Sequence, residues 1–227
     1  MKNKYLQIAI DGPAAAGKSS VAKRVAKELN FIYIDTGAMY RAFTYAVLKA
    51  GLDPQNEEEA CSLVGHVDII LSIDGTVTCN NEDVTHIIRE FSVSSNVSYI
   101  ASYPAIRKDL VVIQRKLASL GNCVMDGRDI GTYVLPKADV KIFQIADVNE
   151  RANRRFLENQ EKGIPCSFED VLADLKKRDF IDSNRKFAPL KPADDSIILD
   201  TTCKSLEEVK EIIISIIKEH LGGNLNA

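Results

Sequence analysis

The sequence predicts an α/β fold in which a five-stranded parallel sheet is flanked by helices. Short apolar runs alternate with helical patterns along most of the chain, as in the βα units that build parallel sheets. The first run, residues 6–10, leads through a glycine-containing turn directly into a helical pattern, and two later runs end in polar clusters. Because ligands of parallel sheets collect at the carboxyl ends of the strands, we expect a binding site there.

The expected strands are short apolar segments separated by turn residues. In chain order they are residues 6–10, 31–34, 123–125, 140–145 and 197–199. Several helices between them carry terminal signals. Gly51 follows the second helical pattern, at residues 38–49, as a C-cap, and Pro104 opens a long helix that Gly121 ends. Ser205 and Glu208 form a capping box for the last helix, which is expected to end near Gly222-Gly223.

Residues 65–90 interrupt this alternation. Two stretches with strand character, residues 67–73 and 76–78, are joined at Asp74-Gly75, which indicates a β-hairpin. An antiparallel element inserted between parallel units predicts a small subdomain, which we expect to pack beside the acceptor side of the site.

A charged helical region is predicted at residues 148–180. It breaks at Gly163-Ile164-Pro165 and restarts with Ser167 and Asp170, a capping box in which Asp replaces the preferred Glu or Gln. The region therefore consists of two helices joined by a short turn.

Composition and charge exclude several classes of protein. With 227 residues, 45% of them hydrophobic, the chain can bury a full core, and its net charge of −3 disfavours wrapping of duplex nucleic acid. Its apolar runs are too short to span a bilayer. The five cysteines are far apart without C-x-x-C spacing, which favours structural thiols over a metal site. The odd cysteine count and the lack of an apolar signal region predict a cytoplasmic protein.

The segment after the first strand has the spacing G-x-x-x-x-G-K-S. It consists of Gly12, Pro13, Ala14, Ala15, Ala16, Gly17, Lys18 and Ser19, and Ser20 follows. Because it follows a strand and opens a helix, we interpret it as a P-loop rather than as a chance glycine-rich turn. In a P-loop, backbone N–H groups and the helix N-terminus bind phosphates, the lysine reaches the β- and γ-phosphates, and the serine ligates Mg²⁺. The predicted fold class is therefore a P-loop NTPase core, with ATP as the phosphoryl donor.

Two further motifs indicate the acceptor. Thr36 to Arg41 follow the second strand, and Arg41 would suit an acceptor phosphate unless it is simply a solvated helix residue. The third strand ends in Asp126-Gly127-Arg128-Asp129, where Asp126 could hold Mg²⁺ through water while Arg128 and Asp129 face an acceptor. The alternative for this cluster is a purely structural turn.

Arg151, Arg154 and Arg155 share one face of the charged helical region, and Arg178 and Arg185 follow its break. These residues could form a lid, because transfer between two polyanions needs positive charge and the exclusion of water. Interleaved acidic residues leave open the alternative of an ordinary solvated helix.

Four motifs together give the chain a close, nearly end-to-end resemblance to a known family. They are Ile10-Asp11-Gly12-Pro13 leading into Gly17-Lys18-Ser19, the run from Asp35 to Arg41, the run from Asp126 to Thr132, and the segment from Arg178-Asp179 through Asn184-Arg185 to Ala188-Pro189-Leu190. In these motifs the chain resembles the bacterial cytidylate kinases, the CMP/dCMP kinase branch of the nucleoside monophosphate (NMP) kinases. The insertion at residues 65–90 also resembles the extra antiparallel piece of bacterial members.

The resemblance implies transfer of the γ-phosphoryl group of MgATP to CMP or dCMP by a monomer. It implies one unit with a core at about residues 1–35, 105–147 and 190–227, an NMP-binding subdomain with the β insertion at about 36–104, and a short lid at about 150–188. Thr36 occupies a position where a serine is common in the family, and its hydroxyl is retained.

The resemblance also assigns roles to individual residues. Ser98, Arg107 and Asp129 would recognise cytosine, Arg41 and Arg128 would hold the acceptor phosphate, and Asp182 and Arg185 would serve the pentose. Arg178 would be a lid-side arginine near the transferring phosphate, and the catalytic residues would be Lys18, Arg128 and Arg178. The chemistry requires no general base, because the acceptor is already an oxyanion.

Three functions other than phosphoryl transfer to CMP or dCMP are alternatives for a chain with a P-loop. A shikimate- or thymidylate-type kinase would lack the hairpin insertion and carry a different acceptor motif. A GTPase switch would need an N-K-x-D segment, which the sequence lacks. A regulator that binds ATP without turnover can be distinguished only by an assay.

Overall fold

Five parallel strands form the central sheet of the computed structural model, which describes residues 3–72, 74–161 and 163–221. The strands of the chain are β1 (Gln7–Asp11), β2 (Ile32–Asp35), β3 (Ile69–Leu71), β4 (Val77–Cys79), β5 (Glu82–Asp83), β6 (Cys123–Gly127), β7 (Val140–Ile145) and β8 (Ile197–Asp200). The central sheet has the order β2-β6-β1-β7-β8, and every neighbouring pair is parallel. This confirms the predicted fold class and places β1, which leads into the P-loop, in the middle of the sheet.

Nine α-helices lie among the described residues. They are α1 (Lys18–Leu29), α2 (Thr36–Lys49), α3 (Glu57–Cys61), α4 (Phe91–Ser94), α5 (Val97–Ile100), α6 (Pro104–Ala118), α7 (Val148–Glu161), α8 (Phe168–Asn184) and α9 (Leu206–His220). A 3₁₀ turn at Ile87–Arg89 and a π-helical turn at Ile130–Val134 complete the regular structure. Helix α2 begins two residues earlier than predicted because Asp35 caps it, accepting a hydrogen bond from the N–H of Ala38.

The central sheet is buried on both faces, as its apolar strands require. Ile8 and Ile10 of β1 point into a cluster with α1 and α9, which includes Val25 and Ile213. Ala9, between them, belongs to a second cluster on the opposite face with residues of α6 and the π-helical turn. Alternate residues of the central strand therefore bind helices on opposite sides, and this rigid layer supports the loops at its carboxyl edge.

The inserted element is a three-stranded antiparallel sheet in the order β3-β4-β5, one strand more than the predicted hairpin. It packs on α2, where Val77 and Cys79 share a buried cluster with Phe43. Strand β5 was not predicted, because its two residues are exposed and acidic and therefore show no apolar alternation. Position 73 of the predicted hairpin lies outside the described residues.

The charged region forms α7 and α8, with the predicted break between them. Ser167 caps α8 by accepting the N–H of Asp170, but the Asp170 carboxylate accepts from the Ser167 hydroxyl, so only half of the predicted capping box forms. Ser205 and Glu208 form the complete box expected at α9. The predicted end of α9 near residue 222 lies outside the described part of the chain. No helix in that described part is long and apolar enough to cross a membrane.

Candidate active site

A cavity of about 430 Å³ opens at the carboxyl edge of the central sheet. Its walls include parts of the P-loop, of α2, α5 and α6, of the end of β6 with the segment after it, and of α7 and α8. Of the residues predicted from the sequence, those that line it are Ala15, Ala16, Gly17, Lys18, Ser19, Ser20, Thr36, Arg41, Ser98, Arg107, Asp126, Arg128, Asp129, Arg154, Arg155, Arg178, Asp182 and Arg185. The fold therefore brings residues from seven separate segments to one site.

The P-loop is held tightly against β7. Gly12 has a φ of +151°, and a Cβ atom there would lie 2.0 Å from the backbone oxygen of Gln144, so only glycine fits. The Gln144 side chain donates a hydrogen bond to the Ala16 carbonyl oxygen. Ala15 adopts a left-handed φ of 56°, so one residue of the alanine run takes a conformation that favours glycine.

Residues of α7 and α8 hold the P-loop from the other side. The Ala14 N–H donates to the Asp179 carboxylate at 3.2 Å, and Arg151 Nη1 donates to the Ala14 carbonyl at 2.9 Å. The same nitrogen donates to Asp179 at 2.7 Å. Arg151 is 6% exposed and does not line the cavity, unlike Arg154 and Arg155. Its position differs from the one expected of a lid residue, because it contacts the loop backbone.

Lys18 is buried at the base of the cavity, where its ammonium group donates to the Pro13 carbonyl at 2.6 Å. Burial, together with the positive charge of Arg128, lowers the pKa of Lys18 to about 7. A bound polyphosphate would supply the negative charge that keeps this lysine protonated.

Ser19 and Asp126 lie together, as predicted for a metal site. The serine hydroxyl donates to Asp126 Oδ2 at 2.7 Å, and burial, helped by the charge of Asp35, raises the pKa of Asp126 to about 6. Hydroxyl and carboxylate oxygens are donors that suit Mg²⁺. No group of three or more His, Cys, Asp or Glu side chains able to hold a metal occurs within residues 3–72, 74–161 and 163–221. The hydroxyl and the carboxylate of this pair fit a Mg²⁺ ion by their donor chemistry.

Positive charge is concentrated opposite the P-loop. Arg41 donates to Ser94 Oγ at 2.6 Å, and burial and the charges of Arg178 and Arg155 lower its pKa to about 9. Arg128 forms an ion pair with Asp182 at 2.9 Å. A buried guanidinium group whose pKa is lowered by neighbouring arginines marks a place where an anion would be stabilised.

Asp129 is paired through both carboxylate oxygens. Oδ2 accepts from Arg107, and Oδ1 accepts from Arg185 at 3.2 Å. Both arginines also donate to the Ala101 carbonyl, at 2.9 and 3.2 Å. Asp182 and Arg185, both expected to serve the pentose, line the cavity with different partners, because Asp182 pairs with Arg128 and Arg185 with Asp129.

The hydroxyl of Thr36 forms a hydrogen bond within the protein. It donates to the Asp126 carbonyl at 2.7 Å, and Thr36 is 3% exposed. A Cβ atom at Gly127 would lie 2.8 Å from this hydroxyl oxygen, so glycine is needed at the end of β6. Thr36 therefore fixes the backbone that carries Asp126 and Arg128.

Several residues of the site were not identified from the sequence. Gln144, Thr201, Lys204, Leu206 and Val209 line one part of the cavity. Gln144 was detectable as a polar residue within an apolar strand, whereas the others follow or begin elements without a motif. Asp11 belongs to the motif Ile10-Asp11-Gly12-Pro13, from which no role was predicted for it. Its carboxylate accepts hydrogen bonds from the N–H groups of Ile130 and Gly131 at 2.8 Å each.

A parallel sheet whose central strand enters a phosphate-binding loop, beside a serine–aspartate pair and a cationic cavity, defines a P-loop kinase. A family model described as cytidylate kinase matches residues 8–219. The chain belongs to the cytidylate kinase family. It is 51% identical to a cytidylate kinase of Anoxybacillus flavithermus over 223 residues, which cover 97% of this chain and 99% of the relative. With a cytidylate kinase of Halalkalibacterium halodurans it shares 50% identity, covering 96% of this chain and 100% of that one.

A solved structure shares the fold at much lower sequence identity. An uncharacterized protein of Eubacterium ventriosum ATCC 27560 superimposes with a TM-score of 0.54 at 17% identity, covering 95% of this chain and 99% of that one. At this identity the likeness concerns the fold alone. It agrees with the arrangement of the central sheet and its helices.

Proposed function

We propose that this protein is an ATP-dependent nucleoside monophosphate kinase that transfers the γ-phosphoryl group of MgATP to CMP or dCMP, giving ADP and CDP or dCDP. The observation that carries the proposal is the single cavity that joins the P-loop to the Arg107–Asp129–Arg185 cluster. One end suits a triphosphate, and the other offers a carboxylate and guanidinium groups to a base. The names of the full-length relatives agree with this acceptor.

On the donor side, the backbone N–H groups of the P-loop and the N-terminus of α1 would bind the phosphates of ATP. Lys18 would approach the β- and γ-phosphates, and Ser19 with Asp126 would hold the Mg²⁺ ion, Asp126 through water. When bound, Mg²⁺ supplies charge neutralisation on the β- and γ-phosphate oxygens. Arg151 and Asp179 would keep the loop in this form by holding both polar groups of the Ala14 backbone.

On the acceptor side, Arg41 and Arg128 would bind the phosphate of CMP. Its oxygen attacks the γ-phosphorus in line with the leaving oxygen, so positioning and positive charge are sufficient without a general base. Arg178 lies in the same wall and would stabilise the transferring group. Arg154 and Arg155 also line the cavity and would act from the lid.

Selection of cytosine would depend on Asp129, Arg107 and Ser98. Each carboxylate oxygen has about two lone-pair directions, and in Asp129 each accepts one bond from an arginine. The remaining directions can accept the 4-amino group of cytosine. Uracil presents an oxygen at that position, so the same carboxylate would repel UMP.

We also propose the division into core, NMP-binding subdomain and lid described above, with a monomer as the active unit. Residues of a single chain line the cavity on the donor side and on the acceptor side. The lid assignment excludes Arg151, whose contacts are with the P-loop.

A coupled assay of ADP release tests the proposal. MgATP would be supplied with CMP, dCMP, UMP, AMP, GMP, dTMP or shikimate in separate reactions. We expect stimulation by CMP and dCMP well above that by the other acceptors, and loss of transfer in Lys18→Ala with its circular dichroism spectrum unchanged. Absence of stimulation by both cytidine nucleotides would overturn the proposed function.

A further inference from the structure

Tyr33 carries a hydroxyl group to the predicted metal site from a neighbouring strand. It lies on β2, where its Cα atom pairs with that of Val124 in β6, two residues before Asp126. Its hydroxyl donates to Asp126 Oδ1 at 2.9 Å. Since Ser19 donates to Oδ2 at 2.7 Å, each oxygen of this carboxylate has its own donor.

The two donors restrict the rotation of the Asp126 carboxylate. The terminal torsion of an aspartate is broad and roughly two-fold, so the strand alone does not fix the plane of the group. The Tyr33 ring packs against the apolar cluster between the sheet and helices α1 and α9, which anchors the phenol while its hydroxyl reaches the site. A rigid ring held by the core can therefore determine how Asp126 faces Ser19.

We propose that Tyr33 is a positioning residue for the metal site. It holds the Asp126 carboxylate in the orientation that pairs with Ser19 and leaves the unused lone pairs of both oxygens for water ligands of Mg²⁺. Groups that hydrogen-bond to metal ligands commonly set metal affinity in this way. This inference rests on the proposed use of MgATP, and Tyr33 does not itself line the active-site cavity.

The test compares ADP binding with and without metal by isothermal titration calorimetry. The ratio of ADP affinity in excess Mg²⁺ to that in EDTA measures the contribution of the metal without any turnover. Tyr33→Phe removes only the hydroxyl. We expect this ratio to fall about tenfold in the variant, while ADP affinity in EDTA stays at the wild-type value.

Tyr45→Phe is the matched control. The Tyr45 hydroxyl also donates to a carboxylate, Glu82 at 3.1 Å, but it lies on α2 beside the inserted sheet and does not line the active-site cavity. In Tyr45→Phe, the ratio of ADP affinity in excess Mg²⁺ to that in EDTA should equal the wild-type ratio. In an Asp126→Asn background, Tyr33→Phe should cause no further change, because Tyr33 acts through that carboxylate.

The outcomes separate this inference from the proposed function. A metal-dependent ratio that is unchanged in Tyr33→Phe, or an equal loss of affinity with Mg²⁺ and with EDTA, would overturn the positioning role alone. If the wild-type protein binds ADP with the same affinity in excess Mg²⁺ and in EDTA, the proposed use of MgATP is overturned, and this inference with it. The thermal unfolding midpoint of each variant shows that the compared proteins are folded.

Discussion

The neighbours of Asp129 decide how its role can be tested. Its carboxylate is 3% exposed and lies between Arg107 and Arg185, which are 1% and 7% exposed. Truncation to alanine would leave two buried guanidinium groups without a counter-charge, and breaking such a pair typically costs about 3–5 kcal/mol. Asparagine also lacks the charge, but it keeps the shape of the side chain and one oxygen that can accept from the arginines, so it is the better probe.

For Asp129→Asn we expect the CMP to UMP ratio of kcat/KM to fall at least about tenfold, because the amide can donate to the uracil oxygen that the carboxylate repels. Steady-state kinetics with both acceptors at saturating MgATP measures the ratio. Asp195→Asn is the control, since Asp195 pairs with buried Lys141 but does not line the cavity. An unchanged ratio in Asp129→Asn would remove Asp129 from base recognition.

Asp11 predicts a dependence of stability on pH. Burial raises the pKa of Asp11 to about 7, even though backbone N–H groups of Gly131 and Ile130 favour its charged form. In the unfolded chain its pKa is about 4. Between these values the folded protein binds a proton that the unfolded chain does not, so this group contributes stability that declines as pH rises from about 4 to 7.

Asp11→Asn removes that titration. We expect the free energy of unfolding of the wild type to exceed that of the variant by more at pH 5 than at pH 7.5. Urea denaturation at both pH values, followed by circular dichroism, measures the two differences. Equal differences would show that Asp11 stays charged in the folded protein throughout this range.

At the scale of elements, apolar patterning was sufficient for the five parallel strands and for the long helices. It could not reveal β5, whose two acidic residues pair through backbone bonds alone. The motifs located most cavity residues, because residues at strand ends must meet at one edge of a parallel sheet. They could not reveal which side chains pair, such as Arg185 with Asp129 and Asp182 with Arg128, because pairing depends on side-chain geometry across distant segments.

Arg151 shows how a helix can support the P-loop without touching a substrate. For Arg151→Met we expect the KM for ATP to rise about tenfold, since charged hydrogen bonds to Ala14 and Asp179 are lost, while the KM for CMP changes little. Arg24→Met, which removes an exposed pair with Glu207, should leave both constants unchanged. Equal increases in both KM values would indicate a general disturbance of the fold instead.

On the scale of the whole molecule, the proposed donor and acceptor sites are two ends of one cavity. A single ligand that carries adenosine and cytidine joined by a polyphosphate chain should therefore occupy both. We expect it to raise the thermal unfolding midpoint more than ADP and CMP added together at the same concentration, because the second half binds at a high effective concentration. Differential scanning fluorimetry measures this shift, and a shift no larger than that of ADP alone would contradict a shared cavity.

The contacts of Asp129 also bear on how a change of acceptor base could arise. Arg107 lies in α6, and Arg185 directly follows α8. Both arginines also donate to the carbonyl of Ala101. The carboxylate proposed to select the base thus also joins distant segments of the chain. A neutral residue at position 129 leaves both buried guanidinium groups without this counter-charge. An evolutionary or engineered route to a stable uridylate kinase would therefore need a compensating replacement of at least one of the two arginines.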